Sequence, residues 1–127
     1  LRERVAYLAP AYRVVALAIR EPMFPELPDT VAVVRQSYRL QCAADGMIYQ
    51  LALCDAATDL GIEVHRYRRG EEIARAAAGL QVAVREMESF VSVVGRPAGP
   101  PWTEEHRRAY AAGIAVLAMG ERLKLQR

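Results

Sequence analysis

At 127 residues the chain is long enough for one domain, residues 1–127, with a core of its own. Its 53% hydrophobic and 25% charged residues exclude a disordered chain, and a net charge of +2 admits a nucleic-acid partner only if the charge is clustered. No apolar run approaches the ~20 residues that a membrane span needs and no signal peptide is visible, so no membrane partner is expected.

Lys124 is the only lysine, so nearly all positive charge is arginine. Guanidinium forks suit phosphate, although a GC-rich genome produces the same bias together with abundant Ala. Cys42 and Cys54 fall on one expected helix, about 18 Å apart, too far to pair. Neither sits in a metal-ligand pattern, which suits buried packing and a reducing, cytoplasmic location. A start on Leu1 rather than Met suggests that something upstream has been removed or is simply not included.

Leu1 to Ala9 reads as a short helix that Pro10 ends. Arg13 to Glu21 is a short apolar run rich in Val and Ile, better suited to a buried strand than to a helix. It places Glu21 at the strand's C-terminal edge, where α/β proteins build their sites. Pro22, Pro25 and Pro28 make the next stretch a loop.

Asp29 or Thr30 can cap a long helix running to about Leu60, with Val34, Tyr38, Ile48 and Leu51 on its repeating face. Gly46 in its middle predicts close packing of another backbone, or else a break there. Ile62 to Tyr67 alternates as a second strand after Gly61. Strand, helix and strand make a βαβ unit, expected to be parallel with a right-handed crossover.

Three further helices are expected: one over Glu71 to Gly79, one whose buried stripe is Leu80, Val84, Met87, Val91 and Val94, and one that Thr103 caps. Gly95 to Trp102 forms a rigid loop between the last two, and Tyr110, Ile114, Leu117 and Glu121 continue the final helix's spacing. Two parallel strands do not make a stable sheet alone, so further strands must come from upstream, from a partner or from apparent loops.

Three groups of residues could carry chemistry. Glu21 at a strand tip and Glu104 or Glu105 at a helix start could form an oxygen site for Mg²⁺ or Mn²⁺, with His106 ligating or positioning water. First-turn acids also serve as plain capping partners. Arg66, Arg68 and Arg69, with Tyr67 between them, could hold phosphates and stack on a base, or could form a solvated strand end balanced by Glu71 and Glu72. Trp102 after two prolines could be a recognition platform or a plug at the core's edge. No P-loop, GxSxG, CxxC or HExxH motif is present.

The order of these pieces resembles the later part of a RuvC-like nuclease domain of the RNase H-like superfamily. Leu1 to Tyr12 looks like its lead-in helix and Val14 to Phe24 like the strand that ends on Glu. Leu40 to Gly46 resembles the Gly segment of its long helix, and Gly61 to Tyr67 its second strand. The superfamily's first catalytic Asp lies on an N-terminal strand, and no such strand stands ahead of the lead-in helix in the residues given, while Glu104 to Ala109 only approximates the acidic final helix.

The resemblance implies an α/β RNase H-like fold, here a fragment with a parallel βαβ unit, three following helices and an incomplete sheet. It implies binding of structured or branched DNA or RNA, with two-metal phosphodiester cleavage if the upstream Asp exists. Glu21 and Glu105 would then hold the metals, Glu104 or His106 would assist, and Arg66, Arg68 and Arg69 would approach phosphates. The competing expectation is a non-catalytic assembly module, a homo-oligomer or hetero-complex whose sheet a partner chain completes.

Overall fold

The structure is a computed structural model that describes residues 13–22 and 26–125. It is a mixed α/β fold, mostly helical, with a two-stranded parallel sheet. The lead-in helix expected over Leu1 to Ala9 lies outside the described residues.

Strand β1 is Ala16–Arg20, shorter at both ends than the run from Arg13 to Glu21, and strand β2 is Glu63–Tyr67, which starts one residue later than expected and ends where expected. Between them run helix α1, Val31–Arg35, and helix α2, Tyr38–Asp59. Helix α3 is Glu72–Leu80, α4 is Val84–Val93 and α5 is Glu104–Leu125. A 3₁₀ turn at Arg96–Ala98 stands before α5. The described residues fold as two compact units: one contains residues 13–17, 21–22 and 26–64, the other residues 18–20 and 65–125.

In the first unit the single long helix expected from Asp29 or Thr30 to about Leu60 is two helices. Ser37 takes an extended backbone (φ −131°, ψ 119°), and its hydroxyl accepts the Leu40 amide at 3.4 Å to start α2. Serine's side chain satisfies an otherwise orphaned amide, so the chain ends one helix and begins another there. Gln41 reaches back to the Arg35 carbonyl at 2.8 Å, which satisfies an acceptor left open by the short α1. Gly46 therefore lies inside a continuous helix, and the interruption falls earlier than the glycine suggests.

Helix α2 buries Ala43, Cys54, Ala56 and Ala57. The apolar face expected from Tyr38, Ile48 and Leu51 is not a buried one: all three are exposed, Tyr38 at 82%. Cys54 is buried but Cys42 is exposed, and both are free thiols. Gly61 (φ 69°) supplies the left-handed residue that ends the helix, and Ile62 returns its amide to the Ala57 carbonyl at 2.8 Å.

The second unit has the clearer core. Ala76 and Ala77 of α3, Met87 and Val91 of α4, and Ala111 and Ala115 of α5 form one buried cluster, with Ile73 and Ile114 against it. Alanines on facing stripes let α3 and α5 approach closely, and Gly79 continues that approach: a Cβ there would stand 2.8 Å from the Ala118 Cβ. Met87 and Val91 then fill the remaining volume, each such burial contributing about 1.5–3 kcal/mol.

The buried stripe expected of α4 is corrected at its first two positions. Leu80 ends α3 rather than opening α4, and both Leu80 and Val84 are exposed. On α5 the buried positions are alanines, while Tyr110 and Leu117 are exposed. Met87, Val91 and Ile114 do pack in or against the core, and between α3 and α5 the tight contact selects small side chains.

Trp102 closes the edge of this core. Its Nε1–H donates to the Val91 carbonyl at 2.8 Å, and its ring meets Tyr110 edge-on, with centroids 5.9 Å apart. A Cβ on Gly95 would overlap that ring, so glycine is what allows the indole to seat. Of the two readings of Trp102, packing is the one these contacts describe.

Candidate functional site

The charged residues of the second unit gather where β1 and β2 end and where α3 and α5 begin. Arg20 is the last residue of β1, and Arg69 lies two residues beyond β2. Glu104 and Glu105 open α5, where acids are favoured by the helix dipole. Arg20 Nη1 donates to Glu105 Oε2 at 2.8 Å, and Arg69 Nη2 donates to Glu105 Oε1 at 3.2 Å. One carboxylate thus holds two guanidinium groups, one from each strand end.

A second set lies on the neighbouring turn. Arg108 binds Glu104 one helical turn back, its Nε donating to Oε1 at 2.9 Å. That hydrogen bond holds the Glu104 carboxyl below its ordinary value and raises the Arg108 guanidinium. Arg108 Nη1 also stands 3.5 Å from Glu72 Oε2. Glu72 is 1% exposed, and its Oε2 accepts the Gly70 amide at 2.7 Å. Burial pushes the Tyr67 phenol up, and the Glu72 carboxylate acts in the same direction while Arg20 opposes it.

The residues expected from sequence are distributed unevenly over this arrangement. Glu104, Glu105 and Arg69 belong to it. Arg66 lies on β2 and Arg68 just after it, both exposed. Glu21 directly follows β1, half-buried, and belongs to the first unit. His106 has a local role: its Nδ1 is 2.7 Å from the Thr103 hydroxyl, and its ring stacks on Trp102 with centroids 6.1 Å apart. That pairing ties the residue before α5 to the helix's first turn.

Within the second unit the carboxylates at the start of α5 are engaged by guanidinium groups. Both oxygens of Glu105 accept guanidinium N–H groups, and Glu104 is bound by Arg108. Among the described residues no group of three or more His, Cys, Asp or Glu side chains is arranged to hold a metal ion. What the arrangement offers is a set of guanidinium forks, which match phosphate as well as they match carboxylate.

Three participants were not singled out by the sequence. Arg20 carries no signal of its own beside Glu21, although alternation along the strand points the two to opposite faces. Glu72 reads from sequence as solvated charge balance, yet it lies four residues before Ala76, on the stripe that α3 buries. Arg108 sits three residues before Ala111 on the inner face of α5, within reach of both Glu104 and Glu72.

No protein-family model, no curated protein and no solved structure matches the chain. Among the described residues no helix is long and apolar enough to cross a membrane.

Proposed function

We propose that the second unit binds structured nucleic acid through phosphate contacts made by Arg20 and Arg69, with Arg66 and Arg68 adding to the local positive charge. The observation that carries this reading is the convergence of Arg20 and Arg69 on the single carboxylate of Glu105. The side chains of Arg20, Arg69 and Glu105 are 38%, 50% and 57% exposed. Ion pairs this open contribute about 0–1 kcal/mol each, so an incoming phosphate displaces Glu105 at little cost. The N-terminus of α5 beside it favours an anion as well. The RuvC-like resemblance points to the same class of ligand.

The test is binding of a labelled four-way DNA junction across a salt series. Each phosphate contact contributes about 0.9 to the slope of log K against log salt. The double variant Arg20→Gln/Arg69→Gln is expected to lower that slope by about two contacts. Salt-insensitive binding, or no binding, by the wild type removes the proposal. Magnesium-dependent cleavage of the junction that Glu21→Gln abolishes would move the reading to a metal-dependent nuclease.

A second reading, an assembly module, is favoured by the first unit. Along α2, Tyr38, Ile48, Tyr49 and Leu51 are large, apolar or aromatic and exposed. A partner chain lying on that helix would take them from water, each such side chain contributing about 1.5–3 kcal/mol. Sedimentation over a concentration series tests it: self-association is expected, and a concentration-independent monomer speaks against a homo-oligomer.

A further inference from the structure

We infer that Glu72 is the positioning residue of this site: its buried carboxylate fixes the turn that presents Arg69 and anchors Arg108 behind it. The inference rests on the phosphate-binding reading and extends it to a residue that touches no ligand.

A carboxylate that is 1% exposed is unusual in a helix whose other buried residues are alanines. Its contacts say why it is tolerated. Oε2 takes the Gly70 amide at 2.7 Å and lies 3.5 Å from Arg108 Nη1, whereas Oε1 is buried with no hydrogen-bond partner. A residue kept for packing alone would be served better by an apolar side chain of similar volume, since burying a charge with one oxygen unpaired opposes folding. Retaining the charge makes sense if the two contacts it does make are the purpose.

Those contacts act on the turn between β2 and α3. Gly70 has φ 94°, a conformation that glycine tolerates, and the Glu71 amide closes back on the Arg68 carbonyl at 3.2 Å. With the Gly70 amide held from behind by Glu72, Arg69 has a fixed backbone from which to reach Glu105. Arg108, held by Glu72 on one side and Glu104 on the other, is kept on the inner face of α5. Glu72 thus orients one phosphate-binding arginine through the backbone and secures a second guanidinium through charge.

The test uses Glu72→Met, which keeps the volume and removes the acceptor, and Glu72→Gln, which keeps an oxygen for Gly70. Two readouts are followed: the salt slope for the four-way junction, and hydrogen exchange at the Gly70 amide. Glu72→Met is expected to lower the slope by about one phosphate, as Arg69→Gln does, with no further loss in the double variant. It should also speed Gly70 exchange by about tenfold or more, and Glu72→Gln should restore both readouts toward wild type. A merely structural role would lower stability and leave the slope unchanged, and that result overturns the inference, as do additive losses in the double variant. If the wild type binds no junction in a salt-sensitive way, the phosphate reading falls by itself. Unchanged Gly70 exchange in Glu72→Met overturns the positioning role separately, whatever the binding result.

Discussion

Arg108 and Glu104 show how much a single pair at the site depends on protonation. The Arg108 hydrogen bond lowers the Glu104 carboxyl from its ordinary 4.5, so the folded chain holds this proton less tightly than the unfolded one. The stabilisation is therefore present above the ordinary carboxylate value and is lost as pH falls through the lowered folded value. Urea unfolding across pH is expected to show Glu104→Gln with a lower midpoint than wild type at neutral pH. The two midpoints should converge once the wild-type carboxylate is protonated. Equal midpoints at neutral pH would mean that the exposed pair contributes nothing measurable.

At the scale of elements, the loop before α5 and the helices it touches form one packed edge. Trp102 donates to the Val91 carbonyl of α4 and shares contacts with His106 and Tyr110 of α5, in a space that Gly95 leaves open. Gly95→Ala forces a Cβ against an indole that its hydrogen bond holds in place. Overpacking of this kind costs about 1–3 kcal/mol, read as a lower denaturant midpoint with an unchanged slope. An unchanged midpoint would show that the ring can move aside.

Most elements were legible in the sequence because their signals are local. The Val- and Ile-rich run marked β1, alternation after Gly61 marked β2, and Met87 and Val91 marked α4. The break at Ser37 was hidden because Val34 and Tyr38 keep helical spacing across it, while the competing signal is one hydroxyl. The inner face of α5 was hidden for a different reason. Ala111, Ala112, Ala115 and Ala118 are buried there, and small residues give weak hydrophobic contrast beside Tyr110 and Leu117. For the site, Glu105 and Arg69 were legible as charges at element ends, but their pairing joins residues 36 positions apart, which no local pattern records.

At the scale of the whole molecule, the two units carry different features. The first holds a long helix with exposed apolar residues, and the second a cluster of arginines held by carboxylates. The proposed function concerns the second: Glu105 would stand where a phosphate binds, and the arginines it holds would be the binding groups. This separates phosphate binding from metal chemistry, since a metal ligand and a phosphate stand-in respond oppositely to loss of charge. The direct measurement is the affinity of Glu105→Gln for a labelled four-way DNA junction at fixed salt, beside the wild type. Freed of their internal carboxylate, Arg20 and Arg69 should bind the junction about three- to tenfold more tightly, in keeping with two exposed ion pairs released. Weaker or unchanged binding by Glu105→Gln would contradict the account.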